Sequence, residues 1–376
     1  MNSQKMKAVV KSVLTLTCLA ALFVAAVSPA TAQTLTTLYT FGTGANGGLL
    51  LDAQGNLYGT TAYGGTNGNG TVFELSAAGV GTVLYSFQGG TDGRVPTAGL
   101  VRDAQGNLYG TTYFGGSNIS GTVFKLSPAG TETLLHSFIG PEGYAPESVL
   151  ALDVQGNLFG TASKSSGNSS AGTVFEIAAD GTEKDLYRFQ GKKDGAYPVA
   201  GLVRDAQGNF YGATFGGGLV RGTVFKLTPN GTHTVLYNFK AGTDGAHPWG
   251  DLVRDAQGNL YGTTYSGGTN GFGTVFELTA AGVETVLYNF KGNPDGKNPT
   301  AGLVRDAAGN LYGVAKGGTF KHGLLFEITT AGKEIVLHDF SGGADGGFPS
   351  GKLVMDAAGV FYGATGYGTV FKLTIP

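Results

Sequence analysis

Along most of this chain, hydrophobic and polar positions change places in runs too short to be helices. One stretch of forty residues carries four such runs: "GLVRD" (99–103), "NLYGTT" (107–112), "GTVFKL" (121–126) and "TLLHSF" (133–138). Each is rich in Val, Leu, Thr, Tyr and Phe, and each is bounded by Gly, Asn, Asp or Pro, which is the pattern of β-strands joined by turns. Beyond residue 32 no segment keeps a 3.6-residue period, so helices are not predicted there. Within "GTVFEL", Thr71, Phe73 and Leu75 face one way and Val72 and Glu74 the other. The apolar runs are nearly continuous, so both sides of each sheet are expected to be covered.

The four runs recur. Aligned on the glycine of D-x-x-G, the copies fall at Gly55, Gly106, Gly156, Gly208, Gly258, Gly309 and Gly359, spaced by 51, 50, 52, 50, 51 and 50 residues. Seven four-stranded units at a period near 50 predict an all-β fold, a seven-bladed β-propeller with four antiparallel strands (a to d) per blade. The ten residues "DAQGNLYGTT" stand intact at 52, 103 and 255. They read as the a–b hairpin: a type I turn on Asp-Ala-Gln, then glycine in the left-handed region. Glycine after the strand b aromatic, Gly59 and its equivalents, is expected to let a neighbouring blade approach.

The repeat is out of phase at its ends. "TLYTF" (37–41) matches the strand d "VLYSF" (83–87) but precedes the first a–b–c set. The last copy, ending in "GTVFKL" (368–373), has no strand d. The N-terminal strand is therefore predicted to complete the seventh blade and close the ring, which protects edges that an open array would expose.

Composition adds three constraints. Lys5, Lys7 and Lys11 precede an apolar run (13–27) and "PATA", the pattern of a secretory signal peptide over residues 1–32, cleaved after Ala32. The remaining 33–376 forms one propeller domain. It loses three lysines and no acid, so 24 − 3 cations against 26 acids give a net charge of −5. No basic cluster survives, which argues against nucleic acid as a partner, and no later apolar run could span a membrane. The only cysteine, Cys18, lies in the leader, so the fold is held without disulfides. The 67 glycines mark turns rather than disorder, because apolar residues recur in step with them. A monomer, secreted or periplasmic, is expected.

Chemistry should sit where the repeat varies. The a–b and c–d hairpins share one face and are uniform. The b–c and d–a connections share the other and differ in length and composition. Tyr63, Asn67, Tyr113, Asn118, Phe215, His247, Trp249, Tyr265, Asn270 and His322 lie there, and their aromatic faces and amides would suit a glycan or protein ligand. The d–a loops carry D-G-x-x-P with Asp92, Asp194, Asp244, Asp295 and Asp345, and Glu142 in one copy. One carboxylate per blade is too sparse for calcium, so neither a metal nor a cofactor is predicted. The arginines that end strand a (Arg102, Arg204, Arg254, Arg305) read as structural ion pairs or solvated tips. No Ser-His-Asp set, H-E-x-x-H helix or cysteine cluster appears, and no catalytic residue is assigned. The preferred reading is a non-enzymatic binding propeller. The alternative is a carbohydrate-active lyase or hydrolase using repeat-breaking residues near His247, Trp249, Lys316 and His322.

"GNLYGTT" (55–61), "YGGTNGNGTVFEL" (63–75), "VLYSF" and the D-G-x-x-P loop together resemble the GloVer tandem repeats of choice-of-anchor bacterial secreted proteins. The resemblance implies an exported, often surface-attached protein with no assigned molecular function and no catalytic residues to carry over. The sequence ends at "KLTIP" without a sorting tail, so release rather than attachment is expected.

Overall fold

The computed structural model describes residues 33–45, 47–140, 143–164, 171–218 and 221–375. The leader expected over 1–32 and Glu142 fall outside these residues. Seven antiparallel sheets follow one another around a ring, each with its strands in the order a-b-c-d. Blade 1 consists of Leu50–Leu51, Leu57–Thr61, Thr71–Leu75 and Gly81–Ser86. The b strands of blades 2 to 7 are Leu108–Thr112, Leu158–Lys164, Phe210–Thr214, Leu260–Ser266, Leu311–Lys316 and Phe361–Ala364.

The repeated decapeptide is explained by one carboxylate. Asp52 accepts hydrogen bonds from the N–H of Gln54 (3.0 Å), the N–H and amide of Asn56 (2.8 and 3.1 Å) and the Tyr58 hydroxyl (3.2 Å). Gly55 sits at φ 85°, where a side chain would be strained. The amide oxygen of Asn56 then accepts the N–H of Ala77 at 3.0 Å, tying the a–b turn to the c–d turn. Burial alone would raise the Asp52 pKa, but these hydrogen bonds outweigh it and hold the carboxyl below its ordinary value. Each arginine ending strand a lies over an aromatic of the preceding blade, Arg102 over Tyr58 and Arg254 over Tyr211, both at 5.3 Å. Arg102 also pairs with Asp52 of that blade at 3.2 Å.

Two phenylalanines per blade make the core. The strand c ring (Phe73, Phe124, Phe175, Phe225, Phe276, Phe326, Phe371) is fully buried in every blade, and each such burial contributes roughly 1.5–3 kcal/mol. The phenylalanine that follows strand d packs against the strand c ring of the next blade. Phe87 meets Phe124 at 5.1 Å, Phe239 meets Phe276 at 5.2 Å and Phe340 meets Phe371 at 5.4 Å. Gly59 serves this core differently from the sequence expectation. A Cβ there would stand 2.6 Å from the ring of Phe73 in its own sheet, so the glycine makes room for its own blade rather than for a neighbour.

The ring closes through Thr34–Thr40, which pairs antiparallel with the last strand, Thr34 opposite Thr374 and Tyr39 opposite Val370. Phe41 then packs on Phe73 at 4.2 Å, repeating the contact found at the other junctions.

Strand d also reaches across each junction. Its first residue is a glutamate in blades 2, 3, 5 and 6, and in three of these, Glu132, Glu284 and Glu334, it faces the tyrosine–aspartate pair of the preceding blade: Tyr85 with Asp92, Tyr237 with Asp244, Tyr288 with Asp295. Burial, reinforced by Asp92, pushes Glu132 up to about 7. Burial and Asp295 do the same to Glu334, also to about 7, against the opposing pull of Lys291. Blade 4 has His233 at this position, stacked on Tyr187 at 4.2 Å.

Strand a departs most from the expected pattern. Its ladder is only two residues long, because the segment before it bulges inward. In blade 3, Pro146 pairs with Ala162 and Ala151 with Phe159, so five steps on strand a oppose three on strand b. Blades 5 and 6 repeat the offset. Neighbouring bulges touch: a Cβ on Gly47 would lie 2.5 Å from the Ala98 carbonyl, and one on Gly351 2.6 Å from the Gly47 carbonyl. This inner ring lines the central channel.

Candidate functional site

The inner ring is the segment that precedes the strand a ladder. In most blades it consists of small residues, as in "TAGL" (97–100 and 300–303) and "VAGL" (199–202). Three blades break it: "ESVL" (147–150), "WGDL" (249–252) and "SGKL" (350–353). These put Glu147, Trp249, Asp251 and Lys352 around a cavity of about 560 Å³ at the channel mouth on the b–c/d–a face.

One wall of the cavity is aromatic. Trp249 stands edge-on to Phe215 at 5.3 Å and 85°, and 5.9 Å from Tyr265. His247 stacks behind Phe215 at 4.5 Å, its Nδ1 2.9 Å from the Phe215 carbonyl oxygen. Asn298 donates to the Tyr265 carbonyl at 2.7 Å, which fixes the tyrosine's backbone. Lys316 ends the arc, its Nζ 5.2 Å above the Tyr265 ring and 3.4 Å from the Tyr265 hydroxyl. Trp249 remains 37% exposed, enough ring for a ligand to cover.

The charged residues are not equivalent. Asp251 is engaged, accepting the Gly201 N–H of the adjacent blade at 2.6 Å. Glu147 is raised by burial, a shift opposed by the nearby Ser163 hydroxyl and Lys164. Among the described residues, neither Lys316 nor Lys352 pairs with a carboxylate.

Backbone strain collects on this face. The residue before the loop proline is left-handed in six blades: Val95, Ala145, Tyr197, His247, Asn298 and Phe348, with φ between 47° and 59°. Such a conformation in a non-glycine residue costs of order 1–3 kcal/mol and needs surroundings that enforce it. Here each N–H donates to the preceding blade's b–c loop, as His247 does to Arg221 (2.7 Å) and Asn298 to Phe272 (2.7 Å).

The ten residues singled out from the sequence are divided by the structure. Phe215, Trp249 and Tyr265 gather at the mouth with Lys316, and His247 backs them. His322 stands apart, packed with Phe348 (5.4 Å) and Tyr367 (6.0 Å), and only Phe348 of that group reaches the cavity. Tyr63 is 58% exposed on the blade 1 rim, while the Asn67 amide is bound to Gln88 at 2.7 Å. Tyr113 packs on Phe114 at 4.5 Å. Asn118 offers its carbonyl to the Ser120 hydroxyl at 3.2 Å, and the Asn270 amide is held by the Phe290 carbonyl at 3.2 Å. Glu147, Asp251 and Lys352 escaped sequence reasoning, although the broken "TAGL" pattern was there to be read.

The model of the Gloeobacter/Verrucomicrobia repeat matches residues 23–169 and 149–375. The chain belongs to this repeat family. Solved structures resembling this Gloeobacter/Verrucomicrobia repeat protein include two described as extracellular domains from B. thetaiotaomicron. One, of a hybrid two component system, gives a TM-score of 0.61 at 16% identity, covering 90% of this chain and 41% of that one. The other, of a one component system, gives 0.62 at 11% identity, covering 90% and 39%. The repeat protein thus spans well under half the length of these structures, and the likeness shows the fold alone. No functionally curated protein is detectably similar to it.

Proposed function

We propose that this is an exported, non-enzymatic propeller that binds a glycan at the channel mouth. The observation carrying this reading is the arc Phe215–Trp249–Tyr265, an exposed aromatic wall on a cavity large enough for a short saccharide. A pyranose ring presents an apolar C–H face, and covering it with an aromatic ring removes both from water. Hydroxyl groups around that face need fixed polar partners, and the cavity offers Thr97, Thr300 and Ser350 besides its charged groups. The leader-like N-terminus supports export. So does the likeness to domains described as extracellular, at the level of fold.

A glycan-cleaving enzyme is the second reading, favoured by Glu147 and Asp251 lining one cavity. Engagement of Asp251 by the Gly201 amide weighs against it. The test is a glycan array probed with the chain and with Trp249→Ala, and each hit incubated and assayed for new reducing ends. Binding abolished by the substitution, without cleavage, is the expected result. A blank array would overturn glycan binding, and catalytic release of product would promote the enzyme.

A further inference from the structure

We infer that the glycan is anionic, bearing carboxylate or sulfate groups that Lys316 and Lys352 meet; this rests on the binding reading above. The argument is one of unequal pairing. Four charged side chains line the mouth. The two acids are less available: Asp251 takes the Gly201 N–H at 2.6 Å, and burial raises the Glu147 pKa, which favours its neutral form, with Lys164 nearby opposing the shift. The two lysines, on adjacent blades 6 and 7, have no carboxylate partner among the described residues. Lys316 is held over the Tyr265 ring, so its ammonium stands at the edge of the surface where a sugar would stack. A neutral saccharide would cover that surface and leave both ammonium groups to lose water without a counter-charge, which is unfavourable. An anionic one supplies charge-assisted hydrogen bonds, which are stronger than neutral ones. Lys352 also breaks its repeat: the equivalent positions in four other blades are Gly48, Gly99, Gly201 and Gly302. Val149 and Asp251 fill it in the remaining two, so Lys352 is the one cation at this position, and it lines the cavity.

The experiment is calorimetric titration of the full chain with oligogalacturonate, alginate, hyaluronan, carrageenan, xylan and cello-oligosaccharides. The best acidic binder is then repeated as its methyl ester or desulfated form, and with Lys316→Met and Lys352→Met. The expected result is that an acidic oligomer binds, that neutralising it weakens binding about tenfold or more, and that each lysine variant narrows this gap. Preference among the carboxylated and sulfated probes identifies the source of the charge. Trp249→Ala should weaken acidic and neutral forms alike. Equal binding of the acid and its neutral form would overturn the anionic inference while leaving glycan binding intact. Binding to none of the probes, with a blank array, would remove both. Correct folding of each variant is read from an unchanged melt.

Discussion

The two faces of the disc fill their left-handed positions differently: one with glycine alone, the other with glycine and nine larger residues among those described. On the a–b/c–d face, left-handed positions are filled by glycine, as at Gly55 and Gly79, and the Asp-Asn-Tyr hydrogen bonds repeat from blade to blade. On the b–c/d–a face lie all nine non-glycine residues with positive φ among those described. The eight exposed aromatics among the described residues lie there too: Tyr63, Phe114, Tyr197, Trp249, Phe272, Phe320, Phe348 and Tyr367. Among the described residues, the exposed large hydrophobics in the opposite turns are Val80, Val154 and Val283. One face is chemically uniform and relaxed. The other carries strain and exposed apolar rings, features that cost stability and are characteristic of sites under functional demand. The difference teaches that the repeat supplies a scaffold, and the binding site proposed above uses the segments that depart from it.

Breaking the scaffold should cost stability whichever face is intact. The largest effect is expected from removing residues 33–41. The seventh sheet then loses its outer strand and the Phe41–Phe73 contact, and the melting temperature should fall on the order of 10 °C, read by circular dichroism. An unchanged melt would contradict ring closure. Phe276→Ala should cost about 3–5 kcal/mol in denaturant unfolding, because a fully buried ring is removed from between two blades.

A smaller effect sharpens the comparison through pH. Glu132 and Glu334 have pKa values near 7 in the folded protein against an ordinary 4.5. The folded state therefore binds their protons more tightly than the unfolded state. Their stabilising contribution is complete below about 4.5 and is lost as pH rises through about 7. The scaffold should melt lower at pH 8 than at pH 5.5, and the double variant Glu132→Gln, Glu334→Gln should flatten that slope. At the acid end the sign reverses. Asp52 and its equivalents, held below their ordinary value, lose their contribution as pH falls under about 4. A slope unaltered by the double variant would show that the inter-blade glutamates do not titrate as described.

The scaffold was legible because it repeats. Asp52, Gly55, Tyr58 and Phe73 recur at a fixed period, and the orphan strand at 37–41 announced the closure. The site was less legible for the same reason. D-x-x-G marks the hairpin, whereas the channel is lined by the bulged segment before strand a, whose ladder pairing is too short to show as periodicity. Trp249 stood out as the single tryptophan. Glu147, Asp251 and Lys352 did not, because a charge at a strand end ordinarily reads as solvated. That His322 would pack with Phe348 and Tyr367 while Lys316 joined Tyr265 depends on which blades meet at the mouth, which no local pattern encodes.

The most direct test of a scaffold face opposed to a binding face is Trp249→Ala, measured for both properties on one preparation. The account predicts a change in unfolding free energy below about 1 kcal/mol together with at least tenfold weaker binding of the array's best glycan. Retained affinity, or a loss of affinity that only follows a collapse in stability, would contradict it.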